Sequence, residues 1–300
     1  MRSLADYLDQ RLSQGQGYLI KTEAMTALGL SAKAFSEAAR RLIDRHRLAR
    51  LKRGFYLILR PEDVVMGAPD PARWIDPLMN HLKLDYRISL LRAAAFHGAS
   101  HQAAMVFQVI TPKQMPPIEI GRQRVQFVFQ TAHSFATTNR PEWLNQIKSD
   151  AGFAKVAGVE LTLLDCARYL HKSAGLNGAA QIAHDLGAKA NPRKLAKAAS
   201  FYENSAVRRL GYLLEHFRHK RQAKALLPFA DKAKSMKLLD PSVRPLRAAL
   251  DRHGAAGERD PKWKLGINEL VEIDSCFRGL ISRNGAPKRH GRTSVRSSRI

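Results

Sequence analysis

Glu269, Glu272 and Asp274 stand close together toward the C-terminal end of the sequence. Alternating carboxylates on a strand hold magnesium beside phosphate in metal-dependent nucleases. That chemistry also calls for a lysine just beyond the last acid, and here Ser275 and Cys276 follow Asp274. Solvated acids of an edge strand fit the pattern better. Glu160 and Asp165 share one predicted helix, but at 3.6 residues per turn they sit about 140° apart and do not converge as an acid–base pair. Glu160 instead suits the positive end of the helix dipole. His97 and His101 have the spacing of a helical metal pair, yet Gly98 ends the helix between them and no third ligand is in view. The two cysteines, Cys166 and Cys276, lie in apolar surroundings without a partner at zinc spacing. They read as small core residues in a reducing compartment. No glycine-rich phosphate loop or Ser/His/Asp set is present. The expectation is therefore a protein with no catalytic residue, no metal and no cofactor. A metal-dependent nuclease, resting on Glu272, is the alternative from another class.

The charge balance points elsewhere. Among 300 residues, 50 are Lys or Arg and 26 are Asp or Glu, a formal charge of +24 and a pI near 10.5. Such an excess attracts a polyanion, nucleic acid above all. An apolar share of 45 % is enough for a packed core. No signal-type apolar core and no membrane-length apolar run occurs, so a soluble cytoplasmic protein is expected.

The basic residues gather where elements can present them. Residues 3–13 place Leu4, Tyr7, Leu8 and Leu12 on one helical face behind Ser3 as N-cap. Tyr18–Lys21 is extended. Thr22 is the expected cap of a second helix, which Gly29 closes with positive φ. A third helix runs from Ser31 to about Arg47 and buries Ala32, Phe35, Ala38, Ala39, Leu42 and Ile43. Its opposite face carries Lys33, Glu37, Arg40 and Arg41, flanked by Ser36 and Arg47. Taken alone, this is the solvated face of a surface helix. A hairpin follows, Leu48–Lys52 and Phe55–Leu59, with Arg53-Gly54 as its turn. Three helices and a basic-tipped hairpin within about 60 residues are the layout of a winged helix-turn-helix. On that reading Lys33, Ser36, Glu37 and Arg40 face base edges, and Arg41, Arg47, Lys52 and Arg53 hold phosphates.

Residues 62–71 read as a linker. Helices are expected over 72–84 and 86–97, a strand over 105–111, a hairpin with strands 118–120 and 125–129, and a short strand over 156–159. Further helices are expected over 160–171, 177–186, 192–202 with Asn191 as cap, and 205–227. The last of these offers Arg208, Arg209, Arg218, Lys220, Arg221 and Lys224 as a candidate second DNA surface, with a plain solvated face as the alternative. Residues 263–274 read as a strand pair or edge strand. From Arg283 to Ile300 the chain has six Lys or Arg and no acid, the composition of a disordered basic tail.

Three stretches resemble the AbiEi family of antitoxins and transcriptional regulators from type IV toxin–antitoxin systems. They are RLARLKRGFYLI, WIDPLMNHLKLDYRISLLRAAAFHGASHQAAMVFQVIT and VAGVELTLLDCARY, which with their spacing cover about residues 18–215. The tail after Arg283 departs from the pattern. The resemblance implies a DNA-binding N-terminal domain and a mixed α/β C-terminal domain. It implies binding to inverted repeats at the protein's own promoter, independent of dimerisation or cooperative. It also implies a neighbouring nucleotidyltransferase toxin, opposed without stable contact; some members act as stand-alone regulators.

The expected fold is α+β: a winged helix-turn-helix over residues 1–62, a larger α/β domain with a small sheet and several helices over 63–280, and the tail over 281–300. The expected partner is double-stranded DNA, with no membrane. The alternatives are a stand-alone regulator, a nuclease, or an adaptor that binds the toxin directly.

Overall fold

The computed structural model describes residues 3–99, 106–149, 152–243 and 258–273. The basic tail, Asp274, Cys276 and His101 lie outside the described residues.

Helix α1 (Leu4–Ser13) opens on a capping box in which Ser3 and Asp6 exchange hydrogen bonds. Strand β1 (Tyr18–Ile20) runs straight into α2 (Lys21–Leu28), whose cap position is Ile20. Thr22 is thus not the cap. The pairing of Ile20 with Phe55 of β3 (Phe55–Ile58) brings Lys21 N–H to the Gly54 carbonyl at 2.8 Å, and the hairpin turn satisfies the helix start instead. Gly29 ends α2 with φ of 61°. Helix α3 (Ala32–Asp44) is capped by Ser31. It stops short of Arg47 because His46 turns left-handed and Arg47 N–H returns to the Leu42 carbonyl at 2.9 Å. Ala32, in its first turn, is exposed. Strand β2 (Leu48–Lys52) and β3 form the hairpin, and the sheet order is β1-β3-β2.

Strand β3 does not alternate between buried and exposed. Tyr56 and Ile58 join a core made with Leu4, Leu8, Phe35 and Leu42. Phe55, Leu57 and Leu59 join a second core with Trp74, Leu78 and Ile88. At about 1.5–3 kcal/mol per fully buried large apolar side chain, this second contact is a firm one. The hairpin therefore lies between two hydrophobic layers.

The segment to the second core is packed down. Asp63 pairs with Arg73 at 3.5 Å, and Arg122 N–H donates to the Met66 carbonyl at 2.7 Å. Gly67 and Gly121 touch so closely that a Cβ on Gly67 would stand 2.7 Å from the Gly121 Cα.

Beyond it come α4 (Ile75–His81), β4 (Arg87–Ile88), α5 (Leu90–Phe96), β5 (Phe107–Thr111), β6 (Ile118–Ile120), β7 (Gln123–Phe129), α6 (Ala132–Thr138), β8 (Leu144–Ser149) and β9 (Gly152–Ala157). The six strands order as β6-β7-β5-β4-β9-β8, with β5/β7 and β4/β9 parallel. The helix expected over 86–97 is corrected: Ile88 is bonded into the sheet between Val109 and Val156, so its first residues are a central strand. Strand β8 was not expected; its burial barely alternates because it is an edge. At the end of β7, Phe129 is exposed and Val128 is buried.

Helices α7 (Val159–Arg168), α8 (Gly175–Leu186), α9 (Pro192–Ala199), α10 (Asn204–His216) and α11 (Lys220–Asp231) follow. Asn191 caps α9 as expected. The single helix expected over 205–227 is two. Arg218 has φ of 63°, and the His219 ring reaches the His184 carbonyl at 3.0 Å, so the chain folds back and α11 packs on α9 and α10. A last sheet holds β10 (Lys237–Leu238), β11 (Glu258–Asp260) and β12 (Leu265–Ile267) in the order β10-β12-β11. Trp263 seats it on α10, where a Cβ on Gly211 would come within 2.1 Å of the indole.

Candidate nucleic-acid interface

Phe35, Ala39 and Leu42 hold α3 against the first core, which turns Lys33, Ser36, Glu37, Arg40 and Arg41 to the outside. The Ser36 hydroxyl donates to the Ala32 carbonyl of its own helix at 2.7 Å. The side chains of Lys33, Glu37, Arg40 and Arg41 have no hydrogen bond or ion pair among the described residues. Three cations and one acid with unspent heads on one helix face can meet phosphate oxygens and base edges together.

The hairpin packs against α3 through β2. Arg53 is exposed and Lys52 half-buried. The tip is held: the Gly54 carbonyl accepts from Lys21 N–H, and the His81 ring of α4 lies over Phe55 with centroids 5.5 Å apart. Arg50 is exposed on the same hairpin and was missed as a candidate; the run Arg50, Lys52, Arg53 was its signal. Arg47 differs from the other expected phosphate ligands. It is half-buried and ion-paired with Asp9 of α1, so part of its charge is already matched.

The candidate second surface divides. Arg208 and Arg209 are only 2 % and 4 % exposed, and their guanidinium groups serve backbone carbonyls, Ser235 and Lys264 for Arg208, Leu239 and Ala167 for Arg209. Their expected place on a DNA-facing surface is corrected. Arg218, Lys220, Arg221 and Lys224 are exposed at the α10–α11 turn and along α11.

Asp165 is not an acid–base group either, but it is far from bland. It is fully buried and binds Arg87 at 3.2 Å, Ser89 Oγ at 2.6 Å and Tyr202 OH at 2.8 Å. Arg87 also donates to Gln130 at 2.9 Å and Thr138 at 3.2 Å. Burial pulls the Arg87 guanidinium down, Asp165 and Tyr202 push it up, and the net shift is upward. Burial, then Asp165, raises the Tyr202 phenol well above its ordinary range. Every member has a partner, so the network is a structural clasp joining β4, α6, α7 and the end of α9. Glu160 and Asp165 do not converge: Glu160 accepts from Asn191 N–H at 2.9 Å and fastens α9.

The acids Glu269 and Glu272 lie after β12, not on it. Burial, followed by the nearby Asp240, raises the Glu269 carboxyl. Glu272 N–H donates to Asn177 at 3.0 Å. His97 is spent on the Ala157 carbonyl at 2.7 Å. Cys166 is buried, which pushes its thiol up. Among the described residues no group of three or more His, Cys, Asp or Glu could hold a metal, and no helix is long and apolar enough to cross a membrane.

No curated protein matches the chain. The fold is similar to that of the RV2827C protein from Mycobacterium tuberculosis, known from its crystal structure. The TM-score is 0.59 at 16 % identity, covering 86 % of this chain and 89 % of that one, a likeness of fold alone. Residues 87–216 match the family model described as the AbiEi antitoxin C-terminal domain. The match supports an AbiEi-type antitoxin family for the segment from β4 to the end of α10.

Proposed function

We propose that this protein is a sequence-specific DNA-binding repressor of its own operon, acting as the antitoxin of a type IV system. The observation that carries the reading is the unspent polar face of α3, with Lys33, Arg40 and Arg41 beside the basic hairpin tip. The order helix, strand, helix, helix, strand, strand, with the sheet β1-β3-β2, supports a winged helix-turn-helix over residues 1–62. In that role α3 enters the major groove. Lys33, Ser36, Glu37 and Arg40 read base edges, and Arg41, Lys52 and Arg53 hold phosphate, with Arg50 added to them. The exposed Arg218, Lys220, Arg221 and Lys224 form a second contact with the backbone of longer DNA. The family match over residues 87–216 supports the antitoxin role. In that role the toxin is a nucleotidyltransferase, opposed without stable contact.

The test is a fluorescence-anisotropy titration of a promoter fragment against a scrambled duplex. Arg40→Ala should relax the preference by about 1–3 kcal/mol. An unchanged preference would remove α3 from base readout.

A further inference from the structure

An open cleft of about 550 Å³ lies between the end of α7, the first turn of α10 and β10. That volume falls in the range of ~300–1,000 Å³ typical of small-molecule sites. Arg168, His171, Glu203, Arg209 and Lys237 line it.

Arg209 sets this cleft apart from ordinary basic surface. The residue is 4 % exposed, yet it makes no ion pair among the described residues. Its Nε donates to the Leu239 carbonyl at 2.5 Å and its Nη1 to the Ala167 carbonyl at 2.6 Å. Its third nitrogen, Nη2, makes no hydrogen bond among the described residues and is not one of the buried unpartnered atoms, so it is open to solvent. Asp240 is the acid that acts on it, from beyond ion-pair range, and Asp240 is itself engaged by the Ser242 N–H at 2.7 Å and the Ser242 hydroxyl at 2.5 Å. The contrast with Arg87 is direct, because there a buried guanidinium is matched by the buried carboxylate of Asp165. A buried cation held only by neutral carbonyls is costly unless something else completes it. Two carbonyls from different elements also fix the guanidinium plane, which leaves a donor already in position.

Charge and size narrow the ligand. Arg168 Nη2 donates to Glu203 at 2.5 Å, and that pair cancels. Arg209 and Lys237 remain, with His171 at the edge. Ser205, in the first turn of the thirteen-residue α10, adds a helix N–H group and the positive end of its dipole, whereas the Ala206 N–H is already spent on the Glu203 carbonyl at 2.9 Å. A carboxylate would match one of the two cations. A phosphate monoester carries about −1.5 to −2 charges at neutral pH and three acceptor oxygens. The cleft is larger than a phosphate group alone, and Tyr169, Leu238 and Pro241 supply a less polar wall.

We propose that this cleft binds a small phosphate monoester of nucleotide size, with its phosphate on Arg209 Nη2 and the first turn of α10 and with Lys237 closing over it. The site is separate from the DNA-facing surface and does not depend on that reading.

The experiment is calorimetric titration of the full chain with adenosine 5′-monophosphate and with inorganic phosphate at about 0.15 M salt, where distant surface charges are screened. Saturable binding of one equivalent is expected for both. Lys237→Glu and Ser205→Glu, both at positions outside the core, should each weaken it about tenfold or more. Lys148→Glu, the same charge change on β8 outside the cleft, should change it less than about twofold. Circular dichroism checks that each variant is folded. If neither probe binds saturably at millimolar concentration, or if Lys148→Glu weakens binding as much as Lys237→Glu, the proposal is overturned.

Discussion

His81 Nε2 donates to the carbonyl oxygen of Arg53 at 3.3 Å, so the last turn of α4 holds the tip of the β2–β3 hairpin. With Phe55 beneath the same ring, the hairpin is fixed from the side of the second core. His81→Ala should lower stability by about 1 kcal/mol, the net worth of one such hydrogen bond. It should weaken binding to promoter and scrambled DNA equally, since it touches the presentation of Arg53 and not base readout. Paired denaturation and anisotropy curves check both parts; a change in preference between the two duplexes would contradict them.

Lys52 and Arg53 are assigned to phosphate. Replacing both with Ala should weaken all duplexes alike and reduce the slope of log affinity against log salt by about two, at ~0.9 per lost phosphate contact. Titrations at several salt concentrations measure the slope. A slope equal to that of the wild type would remove the hairpin tip from the interface.

Arg87 and Asp165 form a fully buried pair. Asp165→Asn leaves the guanidinium without its counter-charge and should cost about 3–5 kcal/mol. Replacing both residues with apolar side chains of similar volume should cost less than the single change, which urea denaturation of the two variants would show. A loss of under about 1 kcal/mol in Asp165→Asn would mean the clasp is not holding β4 to α7.

Glu269 has a carboxyl raised by burial and by Asp240. A carboxyl raised in the folded state favours folding most when protonated. Its contribution is therefore full below the ordinary carboxylate range and is lost as pH rises through the raised value. Glu269→Gln should remove that loss, so the variant gains stability relative to wild type as pH rises from acid to neutral. Thermal melts across that window test the sign; a variant that loses ground toward neutral pH would contradict it.

Much of the local structure was legible because its chemistry is local. Ser3, Ser31 and Asn191 cap helices through their own side chains, and Gly29 needs only its own φ. The features that were not legible depend on distant partners. Arg209 lies beside Arg208 on a helix that reads as basic surface, and only the carbonyls of Ala167 and Leu239 make it interior. Arg87 reads as the first turn of a helix until Val109 and Val156 take Ile88 into the sheet. The break at Arg218 comes from His219 docking on the His184 carbonyl. At the candidate interface the exposed face of α3 was legible from its period, whereas the pairing of Arg47 with Asp9 needed the packing of α1 on α3.

The most direct test of DNA recognition compares the protein's affinity for its own promoter fragment with that for an unrelated duplex of equal length, at the same near-physiological salt. Specific recognition through α3 predicts a preference of about a thousandfold or more. Equal affinity for the two, falling steeply with salt, would mean that the +24 charge alone binds DNA and would contradict the assignment.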